Sequence, residues 1–376
     1  MAQYTPFERF LAAARFEKVD YVPVVGAITH VYMNHLMGYQ AEGLKALLDR
    51  ERNINILRYG AEVFPEVPLI FIINPFSNIF MDMLLQLDNR DAFYWGQSEL
   101  RVGKIKSTED LAKIEIPEAF TSDVSRLLLG EWKEYMDHIP PDLKKDYGYC
   151  DGLLRFDSPF DTLTENVGAS EWFIKMRTDP PFVHRAMELF TEAAIVGAKA
   201  LARAIGEPKW VILAEDFPGM ISAEHYRQFV LPYHQRIFAT FPQALKLLHN
   251  DSNTTHLLDL LPECGMDVFH LGYEVNLKLA KEKMGKKVAL MGNIAPMGVL
   301  LRGSDEMVRQ VCREQILIGK EGGGFIFSSG GEVNQGTDPA RIRLMVEYAK
   351  KFGRYNDPRV YPKNAYRLGT KLEHLL

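Results

Sequence analysis

From about residue 150 the chain repeats one rhythm: a short apolar run, a polar stop, then a segment whose apolar residues recur at helical spacing. Leu153-Leu-Arg-Phe156 stops at Asp157-Ser-Pro and leads to a helix from Asp161. Trp210-Val-Ile-Leu-Ala214 stops at Glu215-Asp216, and a helix capped by Ser222 follows. Leu245-Lys-Leu-Leu248 stops at His249 and predicts a helix over Thr255–Leu261. Asp267–Leu271 precedes a helix over Leu277–Lys283, and Val288–Gly292 leads to Asn293 and a helix over Met307–Ile318. Phe325-Ile-Phe327 ends at Ser328, with a last helix from Pro339. Short apolar runs bounded by turn formers read as strands buried on both faces, and their alternation with amphipathic helices implies a parallel sheet. So many units in series predict an α/β chain folded as a single (β/α)8 TIM barrel over 1–376, with core repeats in 151–350.

The first 150 residues lack that rhythm. Thr5-Pro-Phe-Glu opens a helix with a hydroxyl cap and proline in its first turn. Tyr21–Gly26 reads as a short strand entering a loop, Leu44–Arg58 as a helix, and Leu111–Asp146 as a charged helical excursion on the surface. Val67–Phe80 is aromatic and broken by prolines. Phe71, Phe76, Phe80, Tyr94 and Trp95 read as core packing or as a lid over an aromatic substrate. The expectation is a barrel whose mouth is covered by these N-terminal helices and loops.

Composition narrows the class. A chain of 376 residues, 47% hydrophobic and 25% charged, fits an ordinary globular enzyme. The net charge of −5 gives no electrostatic case for nucleic acid or an anionic membrane. Cys150, Cys264 and Cys312 are widely spaced and odd in number, which points to a reducing cytoplasm. Without a CxxC pair, a metal site would rely on histidines and carboxylates.

Barrel chemistry sits at the carboxyl ends of strands, and those ends here carry Glu215, Asp216, His249, Asp251, His270, Asn293 and Glu332. His249 and Asp251, two apart, face one way on an extended chain, as half of a metal site or as a simple hydrogen-bonded pair. Glu215 and Asp216 could supply a ligand or a general acid, or bond to barrel backbone. His270, flanked by Phe269 and Leu271, reads as a core histidine before a ligand, though it remains a catalytic candidate with Glu215 and Asp216. His234 and His256 fall in helical stretches and read as structural. The Gly322-Gly-Gly and Gly330-Gly runs fit tight strand–loop geometry better than phosphate binding.

Met291-Gly-Asn-Ile-Ala-Pro296, the helix Asp305–Gly319, Gly323-Gly-Phe-Ile-Phe and Thr337-Asp-Pro together resemble the C-terminal half of the uroporphyrinogen decarboxylase superfamily. Phe217–Pro232 and Asp157-Ser-Pro-Phe with Asp179-Pro-Pro agree. The resemblance is good over roughly 150–350, loose before, and implies the barrel fold. The decarboxylases carry arginines after the first strand and a histidine in the last Gly-rich loop. Here those places read Gly26-Ala-Ile-Thr-His-Val-Tyr-Met and Ser328-Ser-Gly-Gly-Glu-Val-Asn, with neither. The corrinoid-dependent methyltransferase branch holds zinc with His-x-Cys at a strand end and a cysteine in the last loop. This chain keeps His249, has Asp251 at the first cysteine position, and places Gly331 or Glu332 at the second.

The resemblance then implies Zn2+ on His249, Asp251 and Glu332, with Glu215 or Asp216 as substitutes, and Asn293 as a contact to the corrinoid cofactor. Carboxylates leave the metal harder than thiolates do, which suits activation of an oxygen. The function so implied is transfer of a methyl group from an O-methyl donor, an aromatic methyl ether, to the cobalt of a separate corrinoid protein, by a cytoplasmic chain able to form a homodimer. This sequence has no Asp-x-His-x-x-Gly corrinoid-binding stretch of its own. The alternatives are a decarboxylase, or a barrel that binds a tetrapyrrole or corrinoid without turning it over.

Overall fold

Each apolar run in the second half of the chain forms a strand, and together they lie side by side in chain order. β1 (Leu153–Asp157), β2 (Trp210–Ala214), β3 (Leu245–Asn250), β4 (Val268–Leu271), β5 (Ala289–Ile294) and β6 (Phe325–Ser329) are all parallel. The computed structural model describes residues 4–17, 19–39, 49–68, 84–85, 105–148 and 152–355. The segment around Tyr21–Gly26 lies along the outer side of β6, where Val24 bridges Phe327 in parallel. Val25 N donates to Phe327 O and Phe327 N to Pro23 O. This predicted strand is reduced to single bridges, since Pro23 has no N–H to extend the ladder.

The strands divide their side chains between two separate cores, as the two-residue pleat requires. Leu153, Trp210, Ile212, Leu247, Val268, Ala289, Met291 and Ile326 meet Val25 and Ala27 in one small cluster. Their neighbours Leu154, Val211, Leu213, Leu248, Phe269, Leu290 and Phe327 join the larger core beneath the helices. A parallel sheet with its own packed core on the inner face, and helices on the outer face, is the architecture of a TIM-like (β/α) barrel.

The N-terminal helix α1 (Pro6–Ala14) starts with a capping box in which Thr5 and Glu8 exchange hydrogen bonds. Its apolar face does not cover the mouth, as the sequence led us to expect. Phe10, Ala13 and Ala14 pack with Leu153, Trp210 and Ala289 at the amino ends of the strands. Phe7 and Phe10 lie 5.8 and 6.1 Å from the Trp210 ring. α1 therefore stoppers the opposite end, and the carboxyl ends are left for chemistry. A helix over His30–Met37 follows the Val24 segment on the mouth side, with Tyr32 donating to Thr337 O.

Other elements differ in detail. The helix placed over Leu44–Arg58 runs Arg50–Val63, capped by Asp49; residues 44–48 lie outside the described residues. The excursion Leu111–Asp146 contains two helices, Asp123–His138 and Pro141–Tyr147, and the first buries Trp132 and Tyr135. The helix expected over Thr255–Leu261 is instead two 3₁₀ turns, Thr255–Leu257 and Leu261–Cys264. Pro262 cannot donate and disfavours a helical residue before it, which breaks the segment. Phe71, Phe76, Phe80, Tyr94, Trp95 and Cys150 lie outside the described residues. Among the described residues no helix is long and apolar enough to cross a membrane.

Candidate metal centre

Where β2 and β3 end, the pleat decides which polar side chains reach the mouth. Glu215 and Asn250 continue the outward positions, while Asp216, His249 and Asp251 continue the inward ones. The donor atoms of Asp216, His249 and Asp251 all lie within 4.8 Å of one another. Backbone hydrogen bonds fix the group: Asp251 N donates to Asp216 Oδ1 at 3.2 Å, and Asp216 N to Asp161 Oδ2 at 2.7 Å. Asn250 acts from behind, with its Oδ1 accepting from Ser252 N at 3.0 Å, and so shapes the turn that carries Asp251.

Of the carboxylates proposed as the third ligand, Asp216 enters this cluster. Glu332 stands at its edge, on the loop after β6, where the Thr29 hydroxyl bonds to it and its charge is felt by Asp251. Gly331 lies nearer: a Cβ added there would sit 3.2 Å from Asp251 Oδ2, on a backbone with φ of +132°. The loop position that faces the cluster thus carries no donor.

Crowding of acids leaves a clear electrostatic mark. Burial first, then the hydrogen bond and charge of Asp216 and the charge of Glu332, push the Asp251 carboxyl up to about 8. Burial together with Asp216 and Glu215 raises Asp161 well above the usual carboxylate range. A corner that holds protons at neutral pH because its carboxylates are buried and repel one another is relieved by a cation in their midst. Two carboxylates and an imidazole are donors zinc accepts, with coordination positions left for substrate, so the residues present fit the metal that the sequence implied.

The histidines complete the inner wall. His249 and His270 are register partners on β3 and β4, and their Nδ1 atoms lie 2.7 Å apart. His270 Nε2 lies 2.7 Å from the carbonyl of Ser329. Burial lowers both rings to about 3, so both are neutral. His270, weighed as a core histidine, thus stands in contact with the centre.

Glu215 faces away from it. Its carboxyl is buried outside the barrel wall, accepting from Asn250 Nδ2 at 3.3 Å, with Oε2 at 3.3 Å from His234 Nε2. That spacing is short enough for an ion pair, but burial raises Glu215 to about 8 and lowers His234 to about 3, which makes the pair neutral. Tyr226 joins it to Cys264, with its hydroxyl 3.4 Å from His234 Nδ1 and 3.3 Å from Cys264 Sγ. Asn293 donates to the carbonyls of Gly272 and Val275 at 3.0 and 2.7 Å, so its amide nitrogen clamps the loop after β4.

Arg155 and Asp161 also belong to the site, although the sequence pattern alone does not single them out. Arg155 shares the inward parity of Leu153, and its charge depresses His249 and His270 and lowers Glu332. An arginine two residues after an inward leucine was the available signal. Asp161 accepts at a helix start capped by Ser158, and the Ser-Pro-x-Asp pattern marks that position.

The chain is similar to known proteins along this same framework. A uroporphyrinogen decarboxylase from Desulfotalea psychrophila is 27% identical over 90% of this chain and 97% of its own length. The methylcobamide:CoM methyltransferase MtbA of Methanosarcina mazei is 23% identical over 94% of this chain and 99% of the relative. A solved structure of a methyltransferase from Methanosarcina mazei superposes with a TM-score of 0.69 at 18% identity, covering 93% of this chain and 99% of that one, which shows a shared fold. The family model "Uroporphyrinogen decarboxylase (URO-D)" matches residues 155–352, the stretch that supplies β1 to β6 and the acidic mouth. With that match over more than half its length, the chain belongs to the uroporphyrinogen decarboxylase (URO-D) family.

Proposed function

We propose that this chain is a zinc-dependent methyltransferase that moves a methyl group from an aromatic methyl ether to the cobalt of a separate corrinoid protein. The observation that carries the reading is the convergence of Asp216, His249 and Asp251 at the strand ends. An all-oxygen-and-nitrogen donor set keeps zinc a hard Lewis acid, which makes an alkoxide or phenoxide a better leaving group than it would be in water. The similarity to a methylcobamide methyltransferase over nearly the whole chain supports the transfer class.

The chain's own groups would do the rest. Asp216 and Asp251 bring negative charge to the centre, and His249 adds a neutral donor. Arg155, on β1 beside β2, moderates the acidic field. Clamping of the loop after β4 by Asn293 keeps that wall of the mouth in place while a large partner docks.

The test is to mix the purified chain with a corrinoid protein reduced to cobalt(I) and with methoxylated aromatics, methylamines or methyl thiols, and to follow the corrinoid spectrum. Methylation from the ethers, together with one zinc per chain, is the expected result. Transfer from thiols alone would overturn the oxygen reading. Decarboxylation is the second reading, favoured by the relatives that bear that name. Consumption of uroporphyrinogen, with no methyl transfer, would establish it.

A further inference from the structure

The β3–β4 wall holds a relay whose direction is fixed by a single backbone carbonyl. Ser329 O can only accept, so the nitrogen 2.7 Å from it, His270 Nε2, carries a hydrogen. An uncharged imidazole, the form a histidine needs as a metal ligand or as an acceptor beside one, carries one N–H and one lone pair. His270 therefore has its lone pair on Nδ1, and this atom faces His249 Nδ1 at 2.7 Å. Two lone pairs cannot share that distance, so His249 Nδ1 must donate. The His249 lone pair is then on Nε2.

We propose that His270 is a positioning residue that locks His249 in the Nδ1–H tautomer and so presents Nε2 as the metal donor. This rests on the metal reading for its purpose but not for its geometry. The assignment follows from position as well as from distance. His249 and His270 are direct cross-strand partners on the inner face, with ring centroids 4.7 Å apart and planes inclined at 38°. Of the two, His249 shares a cluster with Asp216 and Asp251. His270 is 1% exposed and spans from β4 to the end of β6, so it fixes the ring of His249 from the protein side. A metal-bound histidine generally gives its second N–H to such an acceptor, which sets both tautomer and ring angle. A carboxylate in that place would add one more negative charge to a corner already crowded with acids; a neutral imidazole acceptor adds none.

Two substitutions separate this role from a merely structural one. In His270→Asn the side-chain oxygen stands near the place of Nδ1 and still accepts from His249, while the tie to Ser329 is lost. In His270→Gln the amide nitrogen stands near the place of Nε2 and keeps that tie, while the acceptor for His249 is lost. The first measurement needs no metal. Nitrogen-15 spectra of the histidine-labelled, metal-stripped wild type should show His249 with its hydrogen on Nδ1 and His270 with its hydrogen on Nε2. That pattern at His249 should survive in His270→Asn and give way to a mixture of tautomers in His270→Gln. Zinc affinity by chelator competition should fall about 10–100-fold in His270→Gln and by much less in His270→Asn. Hydrogen on Nε2 of His249 in the wild type refutes the proposal, whether or not the variants fold. So does the reverse ranking of the variants, which would mean that the Ser329 tie is what matters. If the tautomers are as stated and no variant or wild type binds zinc, the relay stands and the metal reading fails.

Discussion

Asp216→Asn tests the centre most directly, because it removes one charge from the cluster and keeps the shape. Two opposed effects follow. A ligand carboxylate is lost, which should weaken zinc binding by at least about 10–100-fold, the range seen when even outer partners of a metal site are removed. Against this, Asp216 supplies the hydrogen bond and the charge that, with burial, hold the Asp251 carboxyl at about 8. Below that value zinc must displace a proton from Asp251 in the wild type, a handicap of about tenfold in affinity for each pH unit. The variant carries less of that handicap, since its Asp251 ionises at lower pH. His249, lowered to about 3, adds no competing proton in this range. The deficit of the variant should therefore narrow as the pH falls below about 8, by up to about tenfold per unit. Competition with a chromophoric chelator at several pH values measures both constants. Glu332→Gln is the control: Glu332 lies outside the cluster, so it should change affinity only through its charge. A deficit that does not vary with pH would refute the proton account, and full affinity in Asp216→Asn would remove Asp216 from the centre.

Three further substitutions probe other links. Glu215, raised to about 8 from an ordinary 4.5, contributes stability that is complete below the unfolded value and is lost as the pH rises through about 8. Glu215→Gln should thus gain on the wild type in denaturant titrations at alkaline pH, by about 5 kcal/mol at most, and parallel pH–stability curves would contradict the neutral pair. Phe10→Ala should cost about 3–5 kcal/mol by opening the stopper at the amino end, with zinc affinity unchanged; a loss of affinity would tie that end to the mouth. Asp251→Cys should keep zinc but slow demethylation of ethers, because a thiolate softens the metal, and faster ether cleavage would invert that argument.

How much of this was legible in the sequence depends on the kind of signal. Strands buried on both faces announce themselves as short apolar runs, so Trp210–Ala214 was found to the residue, and so was the helix Leu277–Lys283 between its Asn276 cap and the next strand. The Thr255 segment failed because its apolar spacing is compatible with a helix that Pro262 then forbids. The destination of α1 was not readable at all. An apolar helix face says that it will be buried, and only the assembled barrel shows which of its two ends is open to receive it.

The centre was legible in residue type and blurred in choice, and the reason is the pleat. Glu215 and Asp216 are adjacent carboxylates at one strand end, equal as candidates in a linear reading, yet the pleat sends one to each side of the wall. The outward one meets His234 in a dry core and stays protonated; the inward one meets His249 and Asp251. Counting inward from Trp210 and Ile212 would have chosen Asp216, and the same count from Leu245 and Leu247 confirms His249 and Asp251. Glu332 could not be ranked this way, because Gly330 and Gly331 break the alternation just after β6. There the backbone reaches a φ that side chains avoid, and it brings Gly331 rather than Glu332 against Asp251. Period-two counting therefore works for donors still on a strand and fails for those one turn beyond. That is why His249 and Asp251 lie together with Asp216 in the cluster, while Glu332 stands at its edge.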